Sequence, residues 1–317
     1  LHIDVNDQSI REEEFSGDQV ARAGRHFIAK TLLEGNVATA DPLGPDNPLI
    51  FSVGPFAGSN WSNANRTSVG CKSPLTGGVK ESNAGGSFGL AMGQLHLAGF
   101  TLYNESDKWI VIHLKKDGTI TFDSGEEYVG KGNFDCAKML HEKYGAKVSL
   151  AICGPVGEYQ GLLAGIAMSD TDQRPTRLAA RGGVGAVMGA KKVKAIVCDL
   201  NKLPTFHDRK KVLKAVKEYG AKIKADDAVN ALKDYGTAMM ADYTNQVGGL
   251  PVNNFTGGRQ VDTLVEPLKM GGDFIREQNL ARGGITSHAC MPGCMIECSN
   301  VYADADGNEI ASPVEYE

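Results

Sequence analysis

Three cysteines limit what the C-terminal part of this chain can fold into. Cys290, Cys294 and Cys298 lie in the run His288-Ala-Cys-Met-Pro-Gly-Cys-Met-Ile-Glu-Cys-Ser. A disulfide uses cysteines in pairs, and three this close cannot all pair with one another. A metal centre uses such thiolates directly. A spacing of four would also set all three near one face of a helix, as core residues. Pro292-Gly293 argues against a regular helix there. Zinc lacks an obvious fourth ligand at conventional spacing, and His288 is too close to Cys290 for comfortable co-ligation. An iron–sulfur cluster is therefore the favoured reading, with zinc and plain core cysteines as the others.

Two glycine-rich basic segments add a second chemistry. One runs from Arg66-Thr-Ser-Val-Gly-Cys-Lys-Ser-Pro-Leu-Thr-Gly77 through Ser82-Asn-Ala-Gly-Gly-Ser-Phe-Gly89. The other is Arg177-Leu-Ala-Ala-Arg-Gly-Gly-Val-Gly-Ala-Val-Met-Gly-Ala-Lys-Lys192. Each joins arginine to adjacent glycines. Exposed backbone N–H groups with a guanidinium fork are what a phosphate needs. Each charge-assisted hydrogen bond contributes about 1.5–3 kcal/mol, so a buried phosphate requires several. Glycines serving only tight turns are the bland alternative. Gly183–Gly189 also has the look of a dinucleotide fingerprint with shifted spacing. That reading wants a strand before the glycines, where Arg177–Arg181 stand instead.

Composition narrows the class. The 317 residues suffice for two domains. A net charge of −5 gives no reason to expect nucleic acid or a membrane surface as partner. No apolar run is long enough to span a bilayer, and no export signal opens the chain. The opening lacks an initiator methionine, so residues are expected before it. Seven cysteines, an odd number, without an export signal point to a reducing, cytoplasmic setting.

Residues 1–203 read as strand-rich and 204–317 as the start of a helical domain carrying the cysteines. Strands are expected at the opening Leu1-His-Ile-Asp-Val, at 49–53, 109–114, 119–122, 147–153 and 193–198. Asp117-Gly118 marks a hairpin turn. Helices are expected at 18–34, 136–144 and 208–224. The lysine-rich face of the last is read as a solvated surface.

Six motifs in order resemble the tungsten-containing aldehyde ferredoxin oxidoreductases. They are Asp41-Pro-Leu-Gly-Pro-Asp-Asn-Pro-Leu-Ile, Gly54-Pro-Phe-Ala-Gly, Lys72-Ser-Pro-Leu-Thr-Gly, Ser82-Asn-Ala-Gly-Gly, Gly154-Pro-Val-Gly-Glu and Arg181-Gly-Gly-Val-Gly-Ala-Val-Met-Gly-Ala-Lys-Lys-Val-Lys-Ala-Ile. The resemblance implies an α+β fold: an N-terminal domain of two β-sheets with flanking helices, then a helical domain. It implies a tungsten bis-molybdopterin cofactor (molybdenum being the alternative metal), a [4Fe–4S] cluster and Mg2+. Arg66 would stand between pterin and cluster. Asn83 and Leu178 would offer backbone carbonyls to the magnesium, Gly85 would line the pterin, and Arg177, Ala180 and Arg181 would hold its phosphates. Cys290, Cys294 and Cys298 would be three cluster ligands, and Glu317 a glutamate near the tungsten, acting in catalysis. The remaining four cysteines are read as structural thiols.

The implied activity is oxidation of an aldehyde to a carboxylate, with electrons passing to ferredoxin or an iron–sulfur subunit. Family members are longer, so the fourth cluster ligand and further pterin loops would lie beyond Glu317. One departure is an extra residue between the first two cysteines, against the family's common Cys-x2-Cys-x3-Cys, which leaves the substrate open. Alternatives are the tungsten subunit of an aromatic acyl-CoA reductase, a non-catalytic truncated binding module, and a nicotinamide-dependent dehydrogenase. Assembly with further copies of the chain is also open.

Overall fold

The computed structural model describes residues 1–314. Glu317 therefore lies outside the described residues. The chain divides into two compact units, one from Leu1 to His207 and one from Asp208 onward.

The first unit holds two six-stranded sheets. The first contains β1 (His2–Asp4), β2 (Ile10–Arg11), β3 (Leu49–Val53), β4 (Thr67–Lys72), β5 (Val79–Ala84) and β6 (Gly99–Tyr103), in the order β2-β1-β6-β3-β4-β5. The second contains β7 (Ile110–Leu114), β8 (Ile120–Ser124), β9 (Val148–Cys153), β10 (Ile166–Met168), β11 (Arg177–Ala179) and β12 (Val193–Asp199), in the order β11-β10-β9-β12-β7-β8. Central strands β3 and β9 are buried at every position, which explains their unbroken apolar runs. Edge strand β5 is polar and half-exposed. Asp117 accepts from the Thr119 N–H and hydroxyl, and Gly118 takes a φ of +87°, closing the expected β7–β8 hairpin.

Six helices belong to this unit: α1 (Asp18–Ala21), α2 (Arg25–Glu34), α3 (Phe88–Gln94), α4 (Asn133–Tyr144), α5 (Pro155–Glu158) and α6 (Val184–Ala190). The single helix expected over 18–34 is broken in two. Gly24, at φ +75° and ψ −132°, takes a conformation closed to residues with a side chain. Helices α3 and α6 share one apolar cluster with the facing sides of both sheets, where Phe51 stacks on Phe100 at 4.7 Å. A fully buried aromatic of this kind contributes about 1.5–3 kcal/mol. Helix α2 covers the outer side of the first sheet through Phe27, Ile28 and Leu32, and α4 covers the second through Cys136 and Leu140.

The second unit opens with α7 (Arg209–Lys224), α8 (Asp227–Tyr235), α9 (Met239–Val247) and α10 (Gly272–Ala281). Asp208 and Asp226 cap the first two by accepting from the Lys211 and Val229 N–H groups. A three-stranded antiparallel sheet follows: β13 (Ser287–His288), β14 (Ser299–Ala303) and β15 (Glu309–Val314). Sequence reading gave no hint of it. Among the described residues, no helix is long and apolar enough to cross a membrane.

Candidate functional site

The two glycine-rich segments meet. Strands β5 and β11 are edge strands of different sheets, and their ends lie side by side. The Arg181 N–H donates to Ser82 Oγ at 3.0 Å, next to Asn83, and Ser73 Oγ donates to the Gly182 carbonyl at 2.8 Å. An added Cβ on Gly86 would stand 2.2 Å from the Ser169 carbonyl and 3.4 Å from Arg177 Cβ. Glycine is required at that contact. Its φ of +89° requires it independently.

Cationic side chains and hydrogen-bond donors dominate this meeting point, with one carboxylate, Glu81, which accepts from Ser68 Oγ at 2.7 Å and pairs with Arg25. Arg66 Nε donates to Asn83 Oδ1. Asn83 Nδ2 in turn reaches Ser68 Oγ at 3.1 Å, its partner across β4. Arg177 is buried, with Leu178 exposed and Ala179 buried as β11 alternates. Ala180 and Arg181 are exposed, Gly85 is buried, and the Lys80 stem lies against Gly182. The donor set of Arg66, Arg177 and Arg181 with nearby glycine backbone suits a phosphate-bearing ligand. Sequence reading missed Lys80 and Ser169 here, neither of which carries a local signal.

Strand direction removes the dinucleotide reading. A strand does precede the glycines, since β11 spans Arg177–Ala179, contrary to expectation. However, β9 and β11 both run antiparallel to β10, and β12 runs antiparallel to β9. Strand β12 thus opposes β11, whereas a Rossmann βαβ unit needs parallel strands. Gly185 and Gly189 instead bring α6 onto the backbone of Gly165 and Gly157.

The cysteine run forms the irregular connection between β13 and β14 and contains no helix. Cys290 and Cys294 are buried with Met291, and Cys298 is half-buried. The Cys290 thiol hydrogen-bonds to Cys294, and backbone N–H groups of Glu297, Ile296 and Cys290 add to it. Together they bring the Cys294 thiol down to about 6, against the opposing effect of burial. The thiolate is the ligand form of cysteine, so this environment suits metal. Two buried asparagines brace the loop's surroundings. Asn300 Oδ1 accepts from the Ala238 N–H, and Asn279 Nδ2 donates to the Val301 carbonyl. The Thr237 N–H and hydroxyl both donate to the Cys298 carbonyl. Among the described residues, no three His, Cys, Asp or Glu side chains converge closely enough for a single metal ion.

The first unit is thus two mixed sheets sandwiching short helices with an anion-suited seam, and the second carries a thiol loop. The description "Aldehyde ferredoxin oxidoreductase, N-terminal domain" matches residues 1–200, and "Aldehyde ferredoxin oxidoreductase, domains 2 & 3" matches residues 214–317. The chain belongs to the aldehyde ferredoxin oxidoreductase family. It is 31% identical over 301 residues to the tungsten-containing aldehyde ferredoxin oxidoreductase of Pyrococcus furiosus, covering 93% of this chain and 47% of the relative. The protein of the same name from Pyrococcus horikoshii is 33% identical with the same coverage. The WOR-like subunit of an aliphatic sulfonate oxidoreductase from Pyrococcus furiosus is 25% identical, covering 75% of this chain and 39% of that protein. The BamBC active-site complex of benzoyl coenzyme A reductase shares the fold, with a TM-score of 0.74 at 19% identity, covering 96% of this chain and 46% of that one. The chain spans about half the length of the curated relatives it matches.

Proposed function

We propose that this chain is the cofactor-holding part of a tungsten oxidoreductase that oxidises an aldehyde to its carboxylate and sends the electrons to ferredoxin or an iron–sulfur subunit. The observation that carries the reading is the convergence of two arginine–glycine segments at adjoining sheet edges, in a chain of this family. The domain from residue 1 to about 203 would hold a bis-molybdopterin tungsten cofactor. Arg177 and Arg181 would grip its phosphates, with Ala180 beside them and Gly85 against the pterin. Asn83 and Leu178 would present backbone carbonyls to Mg2+. Cys290, Cys294 and Cys298 would hold a [4Fe–4S] cluster, and Arg66 would bridge cluster and pterin.

The overall reaction is aldehyde plus water giving carboxylate, two electrons and three protons. When bound, the tungsten centre supplies a two-electron acceptor. The chain's own groups would bind and orient the pterin phosphates and supply the thiolates that hold the cluster through which electrons leave singly, while Glu317 or a residue beyond it would move a proton. A cytoplasmic setting keeps these thiols reduced.

The test uses the complete protein, purified without oxygen, with tungsten, pterin, iron and labile sulfide measured. Aldehyde-dependent reduction of a low-potential dye is the expected activity. Folded, full-length protein with neither tungsten nor molybdenum would defeat the proposal. Reduction of an aromatic thioester without aldehyde oxidation would replace the reaction.

A further inference from the structure

We propose that Asp170 is a positioning residue for the phosphate site: it draws the loop of residues 170–176 shut and so sets Arg177 against Gly86. The inference rests on the reading of Arg177 as a phosphate donor.

Asp170 is fully buried, and its carboxylate receives four hydrogen bonds. The Asp172 and Arg174 N–H groups donate to Oδ1 at 2.7 and 2.9 Å. Arg174 Nε and the Thr176 hydroxyl donate to Oδ2 at 2.8 and 3.0 Å. All four donors come from the residues directly before Arg177. The Asp170 N–H donates to the Arg174 carbonyl at 2.7 Å, tightening the same turn. A buried carboxylate must be satisfied in this way, so the loop has little freedom to open.

The loop's two ends bear on the first glycine segment. The Ser169 carbonyl accepts the Ser87 N–H at 2.8 Å and faces the side-chain-less Gly86, which also borders Arg177 Cβ. Moving either end moves Arg177 relative to Gly85 and Gly86. Asp170 also sorts the arginines. Together with Asp172 it engages Arg174 as an ion pair, which keeps that guanidinium with the loop's own carboxylates. Groups that orient a ligand-holding side chain in this manner typically alter affinity by about 10–100-fold when changed.

The experiment compares three variants of the full-length protein produced without oxygen: Asp170→Asn, Thr176→Val and a control, Leu140→Ala. Leu140 packs in the outer cluster beneath α4 and touches neither glycine segment. Asn at 170 keeps an acceptor for the two backbone N–H groups but turns an amide towards Arg174. Asp170→Asn is expected to carry about tenfold less tungsten and pterin than the control at equal loss of melting temperature. The W(V) EPR signal of its loaded fraction should also shift, whereas the control's should not. Tungsten content and EPR signal equal to the control's would overturn the positioning role. If Asp170→Asn yields no folded protein, Thr176→Val, which removes one bond of the four, decides by the same comparison. Arg177→Met separates the two claims. Full tungsten in that variant would overturn the phosphate reading itself, whereas loss there with retention in Asp170→Asn would overturn only the role of Asp170.

Discussion

Cys153 and Cys294 are both buried thiols, one in each unit, and their chemistry diverges. Burial pushes Cys153 up to about 12, as it does Cys71, and Cys136 goes up to about 11. Cys294 goes down to about 6 because the Cys290 thiol and several backbone N–H groups donate to it. The difference teaches that burial alone keeps a thiol protonated, while convergent donors in an irregular loop favour its thiolate. The first unit builds its own site from the ends of regular strands and uses cysteine only as core.

Cys294→Ala offers the sharpest break of that comparison. Iron and labile sulfide should fall to background while tungsten is retained. Joint loss of both metals would merge the two sites into one. Arg177→Met is the converse: pterin and tungsten binding should weaken about 10–100-fold, the equivalent of one charge-assisted hydrogen bond, with iron unchanged. Gly86→Ala tests the backbone contact at the seam. Its Cβ meets a carbonyl at 2.2 Å in a strained φ, so thermal denaturation should show a loss of about 1–3 kcal/mol.

Alkaline titration sharpens the contrast between the thiols. Cys71, Cys136, Cys153 and Cys198 all have folded values above the ordinary 9.0. Above pH 9 the unfolded chain releases protons that the folded one keeps. Stability is thus fully present below pH 9 and falls as pH rises towards the folded values. Each thiol adds a slope of about 1.4 kcal/mol per pH unit, which Cys71→Ala should remove from denaturant titrations. Lys191 acts in the opposite sense, since burial lowers its ammonium to about 8. Its penalty is full below that pH and eases above it, so four thiols outweigh one lysine. The smallest effect belongs to Lys214→Ala. That lysine is exposed on α7 and makes only a 3.8 Å contact with Glu218, so stability should change by less than about 0.5 kcal/mol.

The hairpin at Asp117-Gly118 and central strands β3, β9 and β12 were legible because turn chemistry and apolar runs are local signals. Strands β5 and β11 were not. Lys80-Glu-Ser-Asn83 carries little strand preference, and β11 spans three residues. Helices α3 and α6 also escaped notice. They are buried all round and rich in glycine, so they show neither amphipathic period nor helix propensity. The basic glycine segments and the cysteine spacing stood out as motifs. Their meeting across two sheets is tertiary, and nothing local to the sequence singles out Asp170.

Helix α6 rests on other main chain at Gly185 and Gly189, where an added Cβ would come within 2.3 and 1.8 Å of the Gly165 and Gly157 carbonyls. Such a joint has no rotamers with which to take up slack. The same helix starts at Val184, three residues after Arg181. The seating of α6 on residues 157 and 165 is therefore set by the absence of side chains.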